Sequence, residues 1–101
     1  MADLHNGKLL SVEDAILHVL ERYWDPLHLP SEASRRGAYE RFVAPVREAL
    51  AARPSVQSLT DFLHETKVRD FGVVGFPLTR ERRAARKLLE IDVHRGDKKR
   101  H

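Results

Sequence analysis

Cysteine is absent from the 101-residue chain, which excludes disulfides, thiolate zinc sites and cysteine nucleophiles together and leaves stability to packing. Aromatic side chains are scarce at 7%, with a single tryptophan. No apolar run approaches the roughly 20 residues that cross a bilayer. The N-terminal MADLHNGK lacks the basic-then-apolar order of a secretion signal, so the expected compartment is the cytoplasm, with no membrane partner. Motifs with a defined chemistry are missing as well. There is no G-x-S-x-G elbow, P-loop or dinucleotide fingerprint, and Gly72 and Gly75 stand as G-x-x-G with no Lys-Ser/Thr behind them.

What remains is 42% hydrophobic and 33% charged, the balance of one small core under a charged surface. The net charge of +3 is uneven. Residues 80–101 hold nine Lys/Arg against four Asp/Glu, whereas residues 1–79 hold nine against eleven.

Four helices are legible. Val12, Ala15, Ile16, Val19, Leu20, Tyr23 and Trp24 recur at spacings of three and four, behind a Ser11/Asp14 capping box. Pro26 disfavours helix at Asp25, so the first helix ends near Trp24. Asp25 and Pro26 then read as a turn: the carboxylate accepts from backbone N–H groups just beyond it, while Leu27 and Leu29 fold back under the Trp24 ring. Residues 30–38 form a polar connector. The second helix carries Tyr39, Phe42, Val43, Val46 and Leu50, and Pro45 inside it requires a kink facing solvent or a break at Ala44. Ser55 or Ser58 caps a third helix with Val56, Leu59, Phe62, Leu63 and Thr66 inward, which fades near Asp70 ahead of the terminators Gly72 and Gly75. The apolar, glycine-containing stretch 71–78 is a buried cover loop. Thr79 caps a fourth helix with Ala84, Ala85, Leu88, Leu89 and Ile91 on one arc. The whole is an all-α, small four-helix bundle: a lead-in at 1–10, one domain at 11–92 and a disordered basic tail at 93–101.

The series W-D-P-L at 24–27, Y-E-R-F-V-A-P-V-R at 39–47, L-T-D-F-L at 59–63 and F-G-V at 71–73 resembles a family of short, uncharacterised bacterial helical proteins with a W-D-P-[IL]-G motif. The likeness spans about residues 12–90, and the chain departs from it at His28, where the family has glycine, and at Phe71, where methionine is commoner. What the resemblance implies is a helical bundle without an established activity, in which Trp24, Asp25, Pro26, Tyr39, Pro45 and Gly72 form the structural motif.

Candidate chemistry is sparse. Of the histidines at 5, 18, 28, 64, 94 and 101, none stands in H-E-x-x-H spacing, and His64-Glu65 begins one that Val68 fails to complete. The serines at 11, 55 and 58 are accounted for as caps. The expectation is therefore a non-catalytic protein, with no catalytic residue, metal or cofactor. It is read as a protein-interaction module of accessory or immunity-like kind, monomeric or homodimeric, which meets its partner through Val73, Val74 and Phe76. The alternative is nucleic-acid binding through Arg82, Arg83, Arg86 and Lys87 with the basic tail.

Overall fold

Serine starts three of the helices. Ser11 accepts the Asp14 N–H at 3.0 Å and opens α1 (Val12–Val19), with Glu13 and Asp14 placed where a helix start favours negative charge. Ser31 accepts from Ser34 and opens α2 (Glu32–Tyr39), and Ser55 accepts from Ser58 and opens α4 (Val56–Phe71). Between them lies α3 (Val43–Ala51), and α5 (Thr79–Leu89) follows. The computed structural model describes residues 11–75 and 77–93; the expected lead-in at 1–10, the tail beyond Val93 and Phe76 lie outside them. Val93 itself is buried against the core.

The chain forms four helical rods, all-α as expected, with no strand among the described residues. The first rod ends at Trp24, but its last turn widens into a π turn, Leu20–Trp24, closed by the Asp25 N–H on Leu20 O at 3.0 Å. The second rod begins earlier than its apolar pattern indicates. Residues 32–38, expected as connector, are already α2, because Ser31 supplies the cap and Arg35 ties back to Leu29 O at 2.9 Å. Only Tyr39 is buried in that segment, so hydrophobic periodicity has nothing to register there.

Neither the kink expected at Pro45 nor the break expected at Ala44 occurs; α3 runs through both residues, and the irregularity lies upstream, in a 3₁₀ turn, Glu40–Phe42, that joins α2 to α3. Pro45 is the third residue of α3, in the first turn, where its missing N–H leaves no bond unmade, and it is exposed. Gly72 closes α4 in the left-handed region (φ 68°), with its N–H on Val68 O, the bond of an αL cap, and the Val73 N–H reaches back to Lys67 O. Thr79 does not cap α5. Leu78 holds the cap position without a side-chain bond, and Thr79 is the first helical residue.

Trp24, Tyr39, Ile16, Leu20, Leu59, Leu63 and Leu88 are fully buried at the centre. The Trp24 ring lies 5.6 Å from Tyr39, 5.8 Å from Phe42 and 6.1 Å from Phe71, all tilted or edge-on, the orientations that ring quadrupoles favour. Phe71 thus belongs to α4 and this cluster, not to a cover loop. Ala84 and Ala85, both fully buried, present no bulk on the inner face of α5 where it packs on α4.

Candidate functional site

The W-D-P segment forms one wall of the site. Pro26 forces Asp25 out of the helical region, and the residue settles at φ 33°, ψ 62°. Its Oδ1 accepts the Leu29 N–H at 3.1 Å and the Tyr39 hydroxyl at 2.6 Å, while that hydroxyl accepts the Leu27 N–H at 3.1 Å. Tyr39 therefore braces the turn from α2 by donating and accepting at once. Burial, reinforced by the bond to Asp25, pushes the Tyr39 hydroxyl far above the usual phenol range, so it stays a donor. The Asp25 carboxylate is occupied by structure.

The turn also carries strain. His28 sits at φ 52°, a region that side chains with a Cβ resist, and it points outward. Leu27 and Leu29, expected under the indole together, part company: Leu29 packs on the core, whereas Leu27 is 38% exposed. The indole N–H is buried with no hydrogen-bond acceptor among the described residues.

Opposite the turn, the loop after Gly72 is held from below. Lys67, buried in α4, makes an ion pair with the buried Glu81 of α5 at 2.9 Å and donates to Gly75 O at 3.3 Å. One ammonium thus joins α4, α5 and the loop. Above this tie the loop is not a buried cover: Val73 is half-buried and Val74 is 67% exposed. A cleft of about 310 Å³ separates the two walls, bordered by Pro26 and His28, by Val73, Gly75 and Pro77, and by Arg80 of α5.

Beyond the cleft, α5 presents its cations. Arg82, Arg83, Arg86 and Lys87 border an adjoining depression of about 430 Å³, and Lys87 Nζ lies 5.6 Å from the centre of the Tyr23 ring. No carboxylate among the described residues pairs with any of the four.

Trp24, Asp25, Pro26, Tyr39 and Gly72 accordingly lie in or beside one corner, together with Val73 and Val74, and the basic residues of α5 flank it. Pro45 lies apart, on α3. Arg22, Lys67 and Glu81 carry no signal in the sequence pattern, and Tyr23 and His28 stand out there only as a stripe residue and as a departure from the W-D-P-[IL]-G motif. Lys67 and Glu81 are fourteen positions apart on different helices, and no local pattern joins them. The described histidines, His18, His28 and His64, sit on separate segments, and no group of three His, Cys, Asp or Glu among the described residues is arranged to hold a metal ion. No helix of the described residues is long and apolar enough to cross a membrane. Comparison of the chain with protein-family models, curated proteins and solved structures finds no match.

Proposed function

We propose that the chain is a non-catalytic interaction module of accessory or immunity-like kind, working in the bacterial cytoplasm by holding a partner protein on the corner formed by the W-D-P turn, the 72–78 loop and the start of α5. The observation that carries this reading is Val74, the most exposed large apolar side chain among the described residues, raised on a loop that Lys67 ties to two helices. A pre-formed apolar contact of this kind binds without first losing loop entropy. The reactive-looking groups of the corner support the same view, because Asp25, Tyr39, Lys67 and Glu81 all hold one another or the backbone.

The test compares tagged wild type with Val74→Asp and, as a control on exposed α4 surface, Gln57→Asp. A partner is expected to co-purify with wild type and the control and to be lost with Val74→Asp at unchanged helicity. Recovery of the wild-type chain alone from low to moderate salt refutes the reading.

The cations of α5 support a second reading, contact with nucleic acid. It predicts retardation of DNA or RNA that vanishes between low and moderate salt and is lost when Arg82, Arg83, Arg86 and Lys87 become Glu. We favour the first because residues 1–79 hold eleven acids against nine bases, a balance that repels a wrapped polyanion.

A further inference from the structure

Three arginines line a second depression beside the docking corner. Arg22 and Tyr23 reach it from the π turn, and Thr79, Arg80 and Arg83 from α5, enclosing about 300 Å³. Lys87 does not line it, but its Nζ lies 5.6 Å from the centre of the ring of Tyr23, which does. Surface arginines are ordinarily interleaved with carboxylates, but here the acids next to them in sequence are turned inward. Glu21, beside Arg22, is buried with Oε2 facing Arg36 at 3.8 Å. Glu81, beside Arg80, is buried against Lys67. No carboxylate among the described residues lies within ion-pair distance of Arg22, Arg80, Arg83 or Lys87. Like charges gathered in a concavity without compensation repel one another and focus a positive potential into it, and a bound anion relieves that repulsion.

The geometry has a local cause. The π turn packs against α5 and carries Arg22 and Tyr23 there, and single π turns inside helices recur at functional sites. Guanidinium groups approaching from two segments suit a tetrahedral oxyanion, because each offers paired N–H donors in a fixed plane. The volume stands at the lower end of ligand clefts, about 300–1,000 Å³, room for a phosphate and the beginning of the group that carries it.

We propose that Arg22, Arg80 and Arg83, with Lys87 beside the Tyr23 ring, form a binding site for the phosphate group of a small phosphorylated molecule. An extended polyanion fits less well, because the acidic balance of residues 1–79 opposes it beyond the depression. The depression shares Thr79 and Arg80 with the cleft of the docking corner, but neither Val74 nor the W-D-P turn lines it, so loss of phosphate binding in Arg22→Ala and loss of a partner in Val74→Asp are separate outcomes.

The test is an amide and arginine-Nε NMR titration of the full chain with inorganic phosphate and with pyrophosphate, ionic strength held constant with chloride. Saturating shifts are expected at Arg22, Tyr23, Thr79, Arg80 and Arg83, with pyrophosphate the tighter ligand. Arg22→Ala, an exposed substitution, should weaken binding about tenfold or more with helicity unchanged, and Arg22→Lys should restore only part of it, because an ammonium lacks the fork. Shifts that rise without saturating, that involve Arg82 and Arg86 equally, or that survive Arg22→Ala overturn the proposal. So does a short oligonucleotide that binds more tightly than pyrophosphate.

Discussion

Replacing Tyr39 by Phe removes one oxygen and leaves the ring in the aromatic cluster. That oxygen donates to Asp25 at 2.6 Å and accepts from Leu27 at 3.1 Å, and its residue is fully buried. A hydrogen bond to a charged group contributes about 1.5–3 kcal/mol, and the Leu27 N–H is left without its acceptor. Asp25 retains the Leu29 N–H, so the loss should fall near the middle of that range, about 2 kcal/mol. For a domain of this size that lowers Tm by about 10 °C. The assay is urea unfolding followed by the fluorescence of Trp24, the sole tryptophan and a direct neighbour of residue 39. The midpoint should fall with m unchanged, since the surface exposed on unfolding is the same. A double-mutant cycle with Asp25→Asn isolates the pair, and a coupling of about 1 kcal/mol or more is expected. Additive single effects, or a loss under about 0.5 kcal/mol, refute the brace.

Other outcomes follow from the same contacts. Because the Tyr39 hydroxyl is held above its unfolded value of 10.0, the unfolded state gives up its proton first as pH rises. Stability from this group is complete below pH 10 and falls above it by up to about 1.4 kcal/mol per unit, so the advantage of wild type over Tyr39→Phe should shrink in alkaline denaturation series. His28→Gly should raise the urea midpoint by about 0.5–1 kcal/mol equivalent, since glycine takes φ 52° without strain; an unchanged midpoint counts against the strained turn. Lys67→Met strands the buried Glu81 and should cost about 3–5 kcal/mol, whereas Lys67→Met with Glu81→Leu should recover most of it, as thermal unfolding will show.

The parts of the fold legible from sequence are those decided within one turn of chain. Ser11 and Ser55 announce helix starts by accepting an N–H three residues ahead, and Gly72 announces a stop because few other residues take its φ. Trp24 is legible as an anchor because its position continues an apolar stripe into a proline. Ser31 caps in the same way as the others, yet α2 stayed hidden because its outer residues are polar and Gly37 lies within it; a cap without a stripe gives only half the signal. Pro45 signals an irregularity in the second rod but not its place, which is the 3₁₀ turn at Glu40–Phe42 rather than Pro45 or Ala44. The candidate site was less legible still. Its apolar point, Val74, and the cations of α5 stand out in composition, but what fixes them does not. The Lys67–Glu81 pair, the Tyr39–Asp25 brace and the approach of Arg22 to Arg80 all depend on helices that meet only after folding.

The π turn links these pieces. Pro26 bars Asp25 from continuing the helix, and the Asp25 N–H, one residue past the rod, bonds Leu20 O instead of the carbonyl four residues back. Spreading five residues over a wider turn changes where each side chain leaves the axis. Trp24 enters the aromatic cluster, Glu21 is buried facing Arg36, and Arg22 and Tyr23 meet α5. Core anchor and surface charge are therefore set by the same few backbone dihedrals. An acid beside Arg22 that would otherwise offset its charge is removed from the surface by the turn that brings the arginine to its neighbours. The positive depression is thus a consequence of how the first helix ends, and it would not arise from the same composition on a regular α-helix.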